Sequence, residues 1–217
     1  MMMDLQNNPV PTQDKAKLAE QSLHQVLDIA RQALGADLVS ALVFGSAANN
    51  QLRATSDVNL MLVLKKFDQQ QIDPVRESVR LARAVVELHV MFVLETELPA
   101  VAKAFAMKFS DIAHRHRLLL GTNPLANLEI THEDLVANMH QVLLNFQLRT
   151  REQYVTSSLR EEQLVHLIAD AAGPLRSCAA ALREIRGQEY LPAKLALEEF
   201  AQASAQNHLI DAVHAMS

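Results

Sequence analysis

Residues 44–59 read Phe-Gly-Ser-Ala-Ala-Asn-Asn-Gln-Leu-Arg-Ala-Thr-Ser-Asp-Val-Asn. The apolar run Leu38 to Phe44 leads into Gly45-Ser46, so a strand ends in a tight turn. Gly45 permits close backbone approach and left-handed dihedrals. If a helix follows, its first amides and its dipole favour phosphate, and Ser46 adds a hydroxyl. A polar stretch then reaches Ser56-Asp57-Val58-Asn59, which opens a second buried strand, Val58 to Leu64, closed by Lys65-Lys66. Residues two apart on a strand share a face, so Asp57 and Asn59 project together. Two carboxylates at such positions chelate Mg²⁺, a hard cation that prefers oxygen. Here the second position is an amide.

The flanking sequence supplies the other elements. Residues 14–34 predict an amphipathic helix with Ala19, Leu23, Val26, Leu27, Ala30 and Leu34 inward, and Gly35 is its natural stop. Residues 73–83 predict a helix that starts at Pro74. Residues 84–94 predict a third strand, with Glu87, His89 and Met91 on one face and Val86, Leu88, Val90 and Phe92 on the other. A helix is expected from Glu95 to Phe109, and Leu118-Leu119-Leu120-Gly121 ends at a turn. His114-Arg115-His116-Arg117 reads as a solvated basic patch.

After Thr131 the periodicity is purely helical. Thr131 with Asp134 resembles a capping box. Leu135, Met139, Val142, Leu143 and Phe146 form one stripe, and Leu164, Ile168, Ala171, Ala172, Leu175, Ala179 and Leu182 a second. Gly173-Pro174 inside the second stripe predicts a kink or break. A third helix begins near Pro192 with Leu195 and Phe200 inward, and a last segment carries Leu209, Ile210, Val213 and Met216. The chain therefore divides into a flexible arm (1–13), an α/β domain (14–130) and a helical bundle (131–217).

Composition narrows the function. The 217 residues are 49% hydrophobic with a net charge of −5, so no strong basic surface offers a generic nucleic-acid grip. The lone Cys178 excludes an intramolecular disulfide and sits on an apolar stripe as a small core residue. No secretory h-region and no spanning apolar run is visible, so a cytoplasmic protein with no membrane partner is expected.

The combined pattern of strand, Gly45-Ser46, ten residues, then Asp57-Val58-Asn59 opening a strand resembles the signature of the polymerase-β-type nucleotidyltransferase superfamily. The stretch from Phe105 to Leu125 is similar to a segment of bacterial nucleotidyltransferase-domain proteins, in which a helical domain follows. The resemblance covers residues 36–155. It implies an α/β (α+β) fold with a short mixed sheet, flanking helices and a helical bundle after it. It implies that Gly45 and Ser46 hold phosphate and that Asp57 and the residue at 59 hold magnesium. The family's third acidic residue, on a later strand, helps to activate an acceptor hydroxyl, and Glu87 is the candidate by position and face.

Asn59 departs from that pattern, as do Asn49-Asn50, where many members carry Arg-Gly, and Lys108, where the resemblance implies an acidic residue. Asp57 with Glu87 supplies two negative charges rather than three, so magnesium binding is expected to be weak or nucleotide-dependent. The leading expectation is a pseudoenzyme that binds a nucleoside triphosphate or another phosphate ligand. The alternatives are an active Mg-dependent transferase, moving a nucleoside monophosphate to a hydroxyl with Asp57, Asn59 and Glu87 as catalytic residues, and a structural partner with an empty cleft. The bundle is available to bind a substrate, cover the cleft or form a homodimer.

Overall fold

A computed structural model describes residues 12–48, 56–157 and 161–204. They form two compact units. One comprises the described residues up to Ala100 together with Asp111–Leu128; the other comprises Val101–Ser110 and the described residues from Glu129 onward. The N-terminal arm up to residue 11, Asn49-Asn50 and the apolar residues after 204 lie outside the described residues. No helix among the described residues is long and apolar enough to cross a membrane.

The first unit is built on a four-stranded mixed sheet of β1 (Leu38–Phe44), β2 (Val58–Leu64), β3 (Leu88–Leu94) and β4 (His116–Gly121), in the order β3-β2-β1-β4. β1 pairs antiparallel with β2 and β4, whereas β2 and β3 run parallel. The two central strands read as continuous apolar runs because both of their faces are covered. Leu60 to Leu64 are at most 1% exposed. On one face, Val58, Leu60, Leu62 and Leu64 pack with Leu23 and Val26 of α1 (Thr12–Leu34) and Val75 and Val86 of α2 (Gln69–Val86).

Several boundaries differ from expectation. α2 begins at Gln69, because the Asp68 carboxylate accepts from the Gln70 and Gln71 amides at 2.9 and 3.4 Å and caps the helix there. Pro74 therefore lies inside the helix rather than at its start. α2 also runs on to Val86, since Val75, Ala82 and Val86 keep one buried helical stripe. The third strand thus starts at Leu88, and Glu87 is the left-handed helix cap between them, at φ 55° and ψ 45°. The helix expected over 95–109 is two, α3 (Leu98–Ala104) and α4 (Ala106–His114).

The basic run after it is not a patch. Arg115 forms a two-bonded ion pair with Asp111 (3.0 and 2.5 Å), and His116 and Arg117 open β4, where Arg117 pairs with Glu20. Gly121, at φ 76°, ends that strand where a Cβ would come within 2.2 Å of the Val39 carbonyl oxygen.

The second unit contains α5 (His132–Thr156), α6 (Glu161–Ile185) and α7 (Ala193–Ala203). Thr131 caps α5 in a full capping box with Asp134. Hydrogen bonding to the Thr131 backbone and hydroxyl holds the Asp134 carboxyl below its ordinary pKa. α6 is not broken at Pro174. One backbone hydrogen bond is lost there, but Ala172, Cys178 and Ala179 are buried on either side and packing holds the helix together. Burial raises the Cys178 thiol pKa, as suits a core residue. α7 turns Ala196, Leu197 and Ala201 inward, whereas Leu195 and Phe200, expected there, are exposed.

Candidate nucleotide site

β1 ends at Phe44, which pairs with Asn59 across the antiparallel ladder. Gly45 comes next at φ 77°, in the left-handed region that disfavours a side chain. A Cβ built on Gly45 would stand 3.8 Å from Asn59 Nδ2, so the turn and the amide face each other across the gap between β1 and β2. Gly45–Ala47 form a single turn of 3-10 helix, not the longer helix a phosphate site would use best. The Gly45 amide donates to the Arg115 carbonyl at 3.0 Å, which ties the turn to the start of β4 and takes that amide out of ligand binding. Half-buried Ser46 has no side-chain partner among the described residues and remains the turn's polar contribution.

Asp57 is exposed just ahead of β2, and Asn59 is half-buried on it. The parallel register with β3 pairs Val58 with Leu88 and Asn59 with His89. Side chains of paired residues lie on the same face, so His89, exposed at its strand start, is the β3 neighbour of Asn59. Glu87 sits one residue before the strand. Its carboxylate meets Lys15 Nζ of α1 at 3.4 Å, and its carbonyl accepts from the Val58 amide at 3.4 Å. The sequence places Glu87 and His89 on one face by alternation; the helix cap at Glu87 removes that alternation and leaves His89 in register. Which of the two lies beside Asn59 depends on where α2 ends, and the buried stripe through Val86 carries that information.

The polar side chains at this end of β1, β2 and β3 are therefore Ser46, Asp57, Asn59 and His89. Among the described residues no group of three His, Cys, Asp or Glu side chains is arranged to hold a metal ion. One carboxylate and one amide do not fit a two-magnesium centre, which needs several anionic oxygens. Lys108 lies on α4. Lys66 pairs with Asp37 at 3.4 Å and closes β2 as a strand end.

No protein-family model matches the chain, and no curated protein matches it. Solved structures do. The crystal structure of spectinomycin adenyltransferase AAD(9) from Enterococcus faecialis, with ATP and spectinomycin, superposes with a TM-score of 0.60 at 13% identity, covering 91% of this chain and 88% of that one. The tri-AMPylated Shewanella oneidensis HEPN toxin in complex with MNT antitoxin matches with a TM-score of 0.30 at 13% identity, over 63% of this chain and 94% of that one. The first of these similarities spans the sheet and the helices that come after it. The chain shares the fold of that adenyltransferase.

Proposed function

We propose that this protein binds a nucleotide, or another phosphate ligand, at a nucleotidyltransferase-type site whose metal centre is degenerate. The distribution of carboxylates supports this reading. Of the three positions where the active pattern uses acids, only Asp57 presents an exposed carboxylate without a salt-bridge partner among the described residues, just ahead of β2. Position 59 is an amide facing the Gly45 turn, and Glu87 is held by Lys15 on a helix cap. Ser46 and Asn59 are the neutral hydrogen-bonding groups for phosphate oxygens. Asp57 with the Asn59 carbonyl would hold one divalent ion brought in by a triphosphate. Such an ion would neutralise phosphate charge there; two-metal transfer is not supported by these donors.

A second reading is an active transferase that moves a nucleoside monophosphate to a hydroxyl acceptor and releases pyrophosphate. The adenyltransferase likeness over 91% of the chain favours it. On that reading Glu87 would have to leave Lys15 to accept the hydroxyl proton. Thermal shift with Mg-nucleotides, then nucleotidylation assays on the native chain and Asn59→Asp, separates the two. We expect a shift without appreciable turnover in the native chain. Robust native turnover that disappears in Asp57→Ala would establish the active reading instead. No shift with any nucleotide would remove both nucleotide readings and leave another phosphate ligand or a structural role.

A further inference from the structure

Two grooves flank the contact between α5 and α6. One is walled by Val142, Arg149 and Gln153 of α5 with Asp170 and Pro174 of α6. The other, of about 620 Å³, is mostly apolar, with Leu143, Leu144 and Tyr154 of α5 and Leu167 of α6 among its walls. α7 distinguishes the two sides. It folds back along α6, since Arg183 near the end of α6 meets both the Glu189 carbonyl and the Glu199 carboxylate. Its Ala196, Leu197 and Ala201 pack with Leu175 and Ala179 of α6. Asp170 and Ala179 are nine positions apart, which at about 100° per residue is half a turn of helix. The Asp170 groove therefore lies on the side of α6 away from α7, and the apolar groove lies on the side that α7 occupies.

α7 covers only part of that side. Ala179, Leu175, Ala172, Ile168 and Val165 follow one another down a single face of α6 at helical spacing. Ala179 and Ala172 are buried, whereas Ile168 is 41% and Val165 58% exposed. The uncovered end, from Leu175 to Val165, is about 15 Å of helix, and it borders the apolar groove at Leu167. α7 runs toward this end, and the sequence that follows it has the matching pattern. Leu209, Val213 and Met216 recur at i, i+4 and i+7, and Asn207, Asp211 and His214 do the same two residues out of step. On a helix these sets form opposite faces, one apolar and one polar. Residues 205–217 in helical form would span about 20 Å, enough for the uncovered length.

We propose that residues 205–217 of this same chain occupy the apolar groove beside α7, with Leu209, Val213 and Met216 against Ile168, Leu143 and Tyr154. The segment then stands as the fourth helix of the helical unit and leaves Asn207, Asp211 and His214 in water. The connectivity selects this occupant over a second copy. The segment leaves α7 beside the open end of the α6 stripe, so a tether of a few residues holds it there at an effective concentration on the order of millimolar. A second copy has no such advantage. Leu148 is two residues from Phe146, on the side of α5 turned away from α6, and does not line the groove; it stays exposed in this arrangement.

The test is thermal denaturation of the full chain in a double-mutant cycle. Val213→Ala should lower the melting temperature by about 2–4 °C, and Ile168→Ala should do the same. Because the two side chains share one contact region, the losses should not add: within the Ile168→Ala chain, Val213→Ala should cost roughly half as many degrees or fewer. Within a Leu148→Ala chain the Val213→Ala shift should keep its full size. Val213→Asp should raise the binding of the apolar dye ANS several-fold, while light scattering gives the mass of a single chain for native protein and variant alike. Fully additive losses overturn the inference, as does a melting temperature that ignores both Val213→Ala and Val213→Asp. A native chain at twice the chain mass that becomes monomeric in Val213→Asp overturns it too, because the segment then serves a second copy.

Discussion

β2 of the sheet unit and α5 of the helical unit put their apolar side chains to opposite use. On β2 every residue from Leu60 to Leu64 is at most 1% exposed. Along α5 only Leu135 is buried, while Leu148 is 61% exposed and Val155 81%. The strand is enclosed on both faces and the helix on a narrow stripe. The elements that carry the Gly45 turn and Asn59 thus stand on the most enclosed part of the molecule. The helical unit holds itself with small clusters such as Ala179, Ala196, Leu197 and Ala201. On the proposed reading, a binding geometry at the end of β1 and β2 persists while a charge is missing at position 59, because core packing and site chemistry use different residues.

Core truncation should expose the contrast most strongly. Leu62→Ala is expected to cost about 2–5 kcal/mol in a denaturant titration, because a fully enclosed site cannot collapse around the missing atoms. Gly45→Ala comes next, at about 1–2 kcal/mol. Space for the methyl exists beside Asn59, so the left-handed backbone alone sets the cost. The same variant should weaken any nucleotide-dependent thermal shift, and an unchanged shift would separate the turn from the ligand.

In the helical unit, Thr131→Ala removes the α5 cap and should cost about 1 kcal/mol. The Asp134 half of the capping box has a pH signature. The folded pKa of Asp134 lies below its unfolded value, so its contribution is present above the unfolded value and is lost as pH falls through the folded one. The melting temperatures of native protein and Asp134→Ala should therefore converge in acid, whereas the Thr131→Ala difference, set by a neutral hydroxyl accepting from the Asp134 amide, should persist there. Leu148→Ala should change stability by no more than about 0.5 kcal/mol. A loss as large as that for Leu62→Ala would mean that α5 is covered on its outer face too.

Much of the fold can be read directly. The strand into Gly45-Ser46, the strand from Val58, the helix ending before Gly35 and the capping box at Thr131 are local patterns, and local chemistry decides them. Elements whose limits depend on packing are harder to read. Apolar residues at 84–94 satisfy a strand, yet the helical stripe from Val75 to Val86 wins because it is buried against the sheet. That outcome moves Glu87 onto a cap and brings His89 beside Asn59. β4 is hidden in the sequence because three consecutive leucines between charged residues and a glycine fit a turn as readily as an edge strand. Apolar residues also ring α5, so periodicity does not distinguish its exposed side from its stripe. For the site, Gly45, Ser46, Asp57 and Asn59 are legible from spacing, but a partner across β3 requires the register.

The most direct test of a retained binding site with a depleted metal centre is calorimetric titration of Mg-ATP into the native chain and Asn59→Asp. Heat of binding is expected with the native chain. Binding should be tighter in the variant, by about tenfold if the restored carboxylate adds ~1.4 kcal/mol of attraction for the nucleotide-borne ion. Equal affinity in the two proteins, or no heat from native protein with any of the four ribonucleoside triphosphates, would contradict a retained site with a depleted metal centre.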